Sequence, residues 1–329
     1  MKLPRSRSTT FLSLNAWIPY IIIAALMIVI NVCQPGQVTF RWLNRQADAA
    51  VSLALVSIGQ TLVFMIGGTD LSLGGIICFT NCLAAVYMPD QPAGILLMSL
   101  ALIAIGALAG WFNGLVIVKL KLQPFIATLA TWAIWYGAAM CVLNTDGGKV
   151  PEAFSGTLMH GFSQMGGMRV SMLILIGLAL IGVFFKASPL GIAIRAVGSN
   201  ERGSYFCGIN VDRTKITVYL ISGLLAGMSG LFRTAQVASG SPTAGNNFIL
   251  LSCAAAVIGG CSSASGYFSF TGAIVGAIIM RVLNTLMVTA GVSSYMTSVF
   301  QGLILILVVC INSLSTLMKE KRRMEVMIR

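Results

Sequence analysis

One carboxylate in an otherwise apolar part of the sequence has the surroundings to carry chemistry. Asp70 lies in the stretch GGTDLSLGG, residues 67–75, which separates two long apolar runs. If those runs cross a membrane, a charge there costs about 2.5 to 3.5 kcal/mol even on lenient insertion scales, so it is usually paired or faces a cavity. Two interpretations stay open. Asp70 caps a broken helix by accepting from the backbone N–H of Ser72 or Leu73, or it lines a pore and takes part in gating.

A second group of polar residues lies in or beside other apolar runs. Asn113, Thr128 and Asn284 are examples, and their side chains can hydrogen-bond a hydroxylated substrate or bridge two helices. Arg233 and Arg281 also fall within apolar runs, where their long side chains are expected to snorkel or to face water. Taken one at a time, the uncharged residues are explained by helix bridging.

The residue sets that enzymes use are missing from the apolar runs. No Ser/His/Asp set, paired-carboxylate set or metal cluster occurs there, which argues against an intramembrane enzyme. The eight cysteines include no Cys-x-x-Cys pair, so neither a disulfide framework nor a zinc site is predicted. Lys149 follows two glycines but precedes Val150 and Pro151, so it is not part of a phosphate-binding loop. We predict no catalytic residue, metal or cofactor in this chain.

The polar segment at 187–213 contains the signals of a short helix. Asn200 can cap its start, Glu201 lies where the helix dipole favours an anion, and Gly208 can supply the left-handed residue at its end. The helix would have two turns and be about 10 Å long. Tyr205 and Phe206 would project from it outside the bilayer, which predicts that a partner or the bundle covers them. We interpret the segment as a docking element.

The composition of the chain predicts the kind of secondary structure that positions these residues. The 329 residues are 57% hydrophobic and only 9% charged, against about 25% charged in ordinary soluble domains. So few charges cannot cover a water-soluble surface, whereas a helix needs about 20 apolar residues to cross a bilayer. The sequence therefore predicts an all-α, polytopic transmembrane helix bundle of about ten segments. The apolar runs lie at 17–33, 49–67, 71–88, 93–118, 124–143, 168–185, 216–238, 248–260, 267–290 and 295–317.

Glycines repeat every four residues on three of these runs. Gly106, Gly110 and Gly114 share one helix face, and pairs with the same spacing occur at 223 and 227 and at 272 and 276. Faces without side chains let helix backbones approach closely, which is a main source of packing energy in lipid. The pattern predicts a tightly packed bundle.

The basic residues indicate the orientation. With the N-terminus inside, fifteen basic residues fall on inner segments and four on outer loops, so both termini are predicted to be cytoplasmic. The net charge of +12 is spread over separate short loops and does not form one basic face, which excludes a nucleic-acid partner.

Four stretches together resemble a known family. They are GGTDLSLG at 67–74, Asn113-Gly114 with LQPFIATL at 122–129, AVGSN at 196–200 with GIN at 208–210, and SGLLAG at 222–227. In this order the sequence resembles the permease subunit of carbohydrate ABC importers, the ribose-type simple-sugar group that also includes autoinducer-2 permeases. The resemblance covers about residues 45 to 315.

The resemblance implies a bacterial inner-membrane permease for a sugar or related polyol. Its implied partners are a second permease subunit, identical or different, an ABC ATPase subunit that docks on the 200–207 helix, and a periplasmic substrate-binding protein. From the apolar runs and the basic residues we predict three segments: a cytoplasmic N-terminal segment at 1–16, a transmembrane permease domain at 17–317 with its coupling loop at 187–213, and a basic cytoplasmic tail at 318–329. The implied ATPase-coupling residues are Gly198, Asn200, Glu201, Arg202, Tyr205, Phe206, Gly208 and Ile209. The candidate substrate-path residues are Asp70, Ser72, Asn113, Phe125, Thr128, Asn246 and Asn284.

An alternative function stays open on sequence alone. In an ion- or proton-coupled secondary carrier, Asp70 would be the titrating group. That hypothesis needs no ATPase partner.

Overall fold

The chain folds into a bundle of α-helices. The computed structural model describes residues 8–160, 167–261 and 268–293, together with 296, 297, 299–303 and 306. These residues form no β-strand, although Gly147 and Gly240 make a single antiparallel bridge. The helices are α1 (Ser8–Cys33), α2 (Phe40–Met65), α3 (Ser72–Tyr87), α4 (Pro92–Lys119), α5 (Pro124–Val142), α6 (Glu152–His160), α7 (Val170–Ala187), α8 (Pro189–Ser199), α9 (Glu201–Phe206), α10 (Val211–Val237), α11 (Asn246–Ile258) and α12 (Phe270–Thr289). The predicted all-α class is confirmed for the described residues.

Six helices are long and apolar enough to cross a membrane: α2, α4, α5, α7, α10 and α12. Shorter apolar helical stretches occur at Pro19–Cys33, α3 and α11, so each predicted run up to residue 290 contains a helix. The tenth predicted run, 295–317, lies mostly outside the described residues, as do residues 1–7 and the tail at 318–329. The number of ten segments and the cytoplasmic position of both termini therefore stay predictions.

Several of these helices begin with residues that favour a helix N-terminus, either a proline in the first turn or a capping side chain. Pro92 and Pro124 occupy the first turns of α4 and α5, where a missing N–H costs nothing. The Asn210 side chain accepts from the N–H of Arg213 at 2.9 Å at the start of α10. These caps and prolines fix where the chain enters each helix.

Helix α2 lies at the centre of the bundle. It is buried along nearly its whole length, and it packs against α7, α10, α11 and α12. Its buried side chains include polar ones such as Ser57 and Gln60. In contrast, α4, α5 and α7 are largely exposed and carry large apolar side chains such as Leu97 and Phe184. The polar groups thus lie inside the bundle, and the apolar surface is the one expected to face lipid.

Glycines form the contact between α4 and α10. A Cβ atom added to Gly110 would collide with the backbone oxygen of Tyr219, and one added to Gly106 would collide with the backbone of Gly223. In the same way, Gly276 of α12 lies against the backbone of α11. The prediction that these glycines allow tight helix packing is confirmed.

Two helices lie in segments that the sequence analysis treated as connections. Helix α6 lies in the loop before α7, and α8 lies within the predicted coupling loop at 187–213. The Ser188 side chain accepts from the N–H of Gly191 at 3.1 Å, and Pro189 occupies the first position of α8. A serine followed by proline is a recognisable helix-start signal, so α8 could have been predicted. Helix α1 also begins at Ser8, before the predicted start at 17.

Candidate functional site

Both ends of α9 are capped by the residues that the sequence indicated. The Asn200 Oδ1 atom accepts from the N–H of Gly203 at 2.9 Å. At the other end, the N–H groups of Gly208 and Ile209 donate to the carbonyl oxygens of Tyr205 and Ser204, each at 3.0 Å. Gly208 has a φ of +81°, in the left-handed region that glycine adopts without strain. These contacts form a Schellman motif, so the predicted caps are confirmed.

Contacts with two other helices hold α9 in place. The Glu201 carboxylate forms an ion pair with the Lys215 ammonium group of α10, with an N–O distance of 2.8 Å. Just before α9, a Cβ atom on Gly198 would collide with the carbonyl oxygen of Met65, the last residue of α2. Ser204 is buried on the inner side of the helix. The short helix is therefore held against the start of α10, and α8, the helix before it, is held against the end of α2.

The outward side of α9 carries exposed aromatic residues. The side chains of Tyr205 and Phe206 are 71% and 85% exposed, and their rings meet edge to face with centroids 6.0 Å apart. Arg202 is exposed beside them. We call Arg202, Tyr205 and Phe206 the α9 surface. Aromatic residues and arginine are enriched where proteins bind one another, so this surface has the composition of a protein-binding site.

Asp70 is buried and fully hydrogen-bonded. Its Oδ1 atom accepts from the N–H of Ser72 at 3.1 Å and from the Ser72 hydroxyl at 2.5 Å. Its Oδ2 atom accepts from the Ser222 hydroxyl of α10 at 3.0 Å. The predicted bond from the Ser72 N–H is confirmed, but α3 begins at Ser72, so its N-cap residue is Leu71 and Asp70 lies one position earlier than predicted.

Other candidate path residues extend the hydrogen bonds of Asp70. The Asn113 amide of α4 donates to the Ser72 hydroxyl at 2.7 Å, and the Thr128 hydroxyl of α5 lies 3.3 Å from the carbonyl oxygen of Thr69. We call this set the Asp70 network. Asp70, Ser72, Asn113 and Thr128 are all buried. The structure thus brings four of the seven predicted path residues together, where they join α3, α4, α5 and α10.

The other three predicted path residues lie elsewhere. Phe125 is 49% exposed at the start of α5 and projects to the bundle surface. Asn246 begins α11, and its buried Oδ1 atom has no hydrogen-bond partner among the described residues. Asn284 lines a separate cavity. The seven residues therefore do not form one continuous path within this chain.

A polar cavity lies between α10, α11, α12 and the described part of the following segment. Its volume is about 220 Å³. We call it the arginine cavity because Arg233 and Arg281 both line it; the remaining polar lining residues are Asn247, Asn284, Thr297 and Gln301. Arg233 and Arg281 were both expected to snorkel or to face water, but no sequence signal shows that they converge on one cavity.

Comparison with known proteins shows the family to which the chain belongs. Residues 46–309 match the family described as branched-chain amino acid transport system / permease component. The chain belongs to this permease family. The permease is a multi-pass membrane protein, because it matches this family and has six helices that are long and apolar enough to cross a membrane.

Several curated relatives of the permease are sugar permeases by name. The ribose import permease protein of Haemophilus influenzae is 33% identical over 262 residues, covering 78% of this chain and 80% of the relative. That of Bacillus subtilis is 32% identical over 298 residues, covering 89% and 91%. The galactose/methyl galactoside import permease protein of Escherichia coli is 27% identical over 318 residues, covering 92% and 95%. No solved structure matches. The predicted resemblance to ribose-type permeases is confirmed.

Proposed function

We propose that the permease is the membrane-spanning subunit of an ATP-driven importer in the bacterial inner membrane. It forms the translocation path for a sugar or related polyol, which a periplasmic binding protein delivers. The named relatives support the sugar class. Because the sequence contains no phosphate-binding loop, ATP is hydrolysed in a partner subunit. A second permease subunit completes the path.

The observation that carries this proposal is the α9 surface. Two largely exposed aromatic side chains on a capped helix suit a groove in a partner protein. The Glu201–Lys215 ion pair joins α9 to α10, and the contact at Gly198 joins the preceding helix α8 to α2. A rigid-body motion of a partner that grips α9 would therefore reach the bundle, which is how nucleotide-driven closure alternates the access of a path.

A double substitution on α9 tests the proposal. In the Tyr205→Ala/Phe206→Ala variant, we expect the ATPase that co-purifies with the tagged permease from its native membrane to fall about tenfold or more. Buried aromatic anchors at interfaces typically contribute 2 kcal/mol or more each, and about 1.4 kcal/mol corresponds to tenfold. The co-purified ATPase is identified and quantified by mass spectrometry.

The matched control is Phe184→Ala on α7. Phe184 is 76% exposed, similar to the α9 aromatics, but it lies on a membrane-crossing helix. This variant should retain the ATPase. Both variants should insert in the membrane at the level of the unmodified chain. Full retention of the ATPase by the α9 variant would contradict the proposal.

The secondary-carrier alternative depends on Asp70. Its carboxylate accepts three hydrogen bonds from Ser72 and Ser222 and is closed off from solvent. A group held in this way links α3 to α10, which supports a structural role over proton uptake and release. The described contacts therefore favour the ATP-driven importer.

A further inference from the structure

The two arginines of the arginine cavity lack partners for part of their guanidinium groups. Arg233 of α10 donates to the side-chain oxygen of Gln236 at 3.1 Å. The Nε atoms of Arg233 and Arg281 are buried and have no hydrogen-bond partner among the described residues. Donors of this kind are rarely left unpaired in a folded protein, so both N–H groups are expected to donate to a bound molecule or to water.

The charge of the cavity is also unbalanced. In the part of the chain that the structure describes, the ion pairs are Arg169–Asp48 and Lys215–Glu201, so neither cavity arginine has a carboxylate partner. Among the described residues that line the cavity, none has an acidic side chain. Two partly buried cations that face the same space repel each other, and each has lost much of its hydration. Ionisable residues kept within membrane-crossing helices mark substrate or ion paths.

The geometry of Arg281 prepares it to bind an anion. Its guanidinium carbon lies 5.4 Å from the ring centroid of Phe248, a cation–π contact that restrains the guanidinium. Guanidinium N–H donors form a planar fork that matches the oxygens of a carboxylate or a phosphate. Phe248 and Arg281 both line the cavity, so this contact restrains the guanidinium at the cavity wall.

The remaining lining residues suit hydroxyl groups. The amides of Asn247, Asn284 and Gln301 and the hydroxyl of Thr297 each offer both donors and acceptors. The cavity volume of about 220 Å³ is below the roughly 300 to 1,000 Å³ of pockets for drug-sized molecules, so the occupant is small.

We propose that the arginine cavity binds an anionic, hydroxyl-bearing small molecule, a sugar acid or a sugar phosphate, through Arg233 and Arg281. This inference rests on the proposed function, because it names the charge class of the sugar that the permease conducts. A neutral sugar would leave both cations unpaired, so the cavity discriminates against it.

Thermal unfolding of the full-length permease in nanodiscs tests this proposal. The probes are glucuronate and ribose 5-phosphate, each compared with glucose and ribose at about 10 mM and at equal ionic strength. We expect at least one charged sugar to raise the unfolding midpoint by about 2 °C or more, because a ligand that binds only the folded state stabilises it. A response to glucuronate alone indicates a sugar acid, and a response to ribose 5-phosphate alone indicates a sugar phosphate.

Substitutions identify the site of binding. Arg233→Gln and Arg281→Gln should each weaken the apparent affinity for the charged sugar about tenfold or more, since a charge-assisted hydrogen bond is lost. Asn284→Asp should also weaken it, because the new carboxylate pairs with the arginines and leaves both of them in place. Arg45→Gln is the matched control, since Arg45 is an exposed arginine of α2 outside the cavity. It should bind as the unmodified chain does.

Three results would overturn the proposal: no shift with either charged sugar, equal shifts with the neutral sugars, or a shift that survives in both glutamine variants. Binding is measured on the permease alone, without its ATPase. Failure here, with ATPase association through α9 intact, would reject the anion site and leave the proposed function standing. Loss of the proposed function would instead appear as ATPase association that does not depend on Tyr205 and Phe206.

Discussion

Asp70 shows which hydrogen bonds of a single side chain can be predicted from the neighbouring sequence and which cannot. An aspartate two residues before a helix start commonly accepts from the backbone there, so its bond to the Ser72 N–H was predictable. Its bond to Ser222 was not, because the two residues are 152 positions apart. The arginine cavity could not be predicted for the same reason, since Arg233 and Arg281 come from different helices. Their convergence is a property of helix packing, which a single sequence does not show.

An isosteric substitution separates the two interpretations of Asp70. In Asp70→Asn, the amide oxygen can still accept from Ser72, and the amide nitrogen can donate to the Ser222 hydroxyl. We expect the unfolding midpoint to stay within a few degrees and uptake of the transported sugar to stay within about tenfold, since one net hydrogen bond contributes about 1 kcal/mol. Uptake is measured in cells treated with an uncoupler at constant ATP.

A carrier that titrates Asp70 gives a different result. Uptake would be abolished in Asp70→Asn although the protein remains folded, and the uncoupler would stop uptake by the unmodified chain. Asp70→Leu serves as the destabilised reference. It leaves the hydroxyls of Ser72 and Ser222 without their acceptor, which costs about 1 to 3 kcal/mol for each buried group and lowers the unfolding midpoint.

Among the secondary-structure elements, those with local signals were predictable. The caps of α9 follow from Asn200 and Gly208, and the α4–α10 contact follows from glycines at four-residue spacing. Helix α8 carried the start signal of Ser188 and Pro189, but its polar surroundings led to its interpretation as a loop. Helix α2 looked like any other span, because its hydropathy does not show that protein covers it on nearly all sides. Burial depends on neighbours that only the fold supplies.

Paired glycine substitutions test the α4–α10 contact. Gly110→Ala places a methyl group against the backbone of Tyr219, which cannot move aside as a flexible side chain would. Overpacking of this kind costs about 1 to 3 kcal/mol, so we expect a lower unfolding midpoint and less folded protein by size-exclusion chromatography. Gly137→Ala of α5 is the control, because a Cβ atom there meets nothing within 4 Å. It should be neutral or slightly stabilising, since alanine favours helix by about 1 kcal/mol. Equal destabilisation of both variants would contradict tight packing at Gly110.

At the level of the whole molecule, composition was sufficient to predict a helical membrane bundle, and the family match agrees with it. The orientation in the membrane depends on the distribution of basic residues, which fold geometry does not report. Helices α3 and α11 lie in two of the ten predicted runs, but with 16 and 13 residues they are shorter than the roughly 20 residues that cross a bilayer. Both helices belong to the bundle because their backbones pack closely against neighbouring segments. Gly74 of α3, for example, lies against Gly245 at the start of α11.

Two native cysteines test the predicted orientation. Cys33, at the end of α1, and Cys207, directly after α9, are both exposed, and the topology places Cys33 outside and Cys207 in the cytoplasm. A membrane-impermeant maleimide should label Cys33 in spheroplasts, and it should label Cys207 only in inside-out vesicles. Peptide mapping by mass spectrometry identifies the labelled site. Labelling of Cys207 in intact spheroplasts would reverse the topology and remove the cytoplasmic docking role of α9.

Helix α10 carries three of the features described above along one axis. Lys215 holds α9 near its start, Gly223 lies in the glycine contact with α4 near its middle, and Arg233 lines the cavity near its end. At about 1.5 Å per residue, Lys215 and Arg233 are separated by about 27 Å. If α10 tilts as a rigid body about the glycine contact, its two ends move in opposite directions. Under the proposed docking of an ATPase on α9, a displacement at Lys215 would then move Arg233 the opposite way, so the docking surface and the arginine cavity are coupled through one helix.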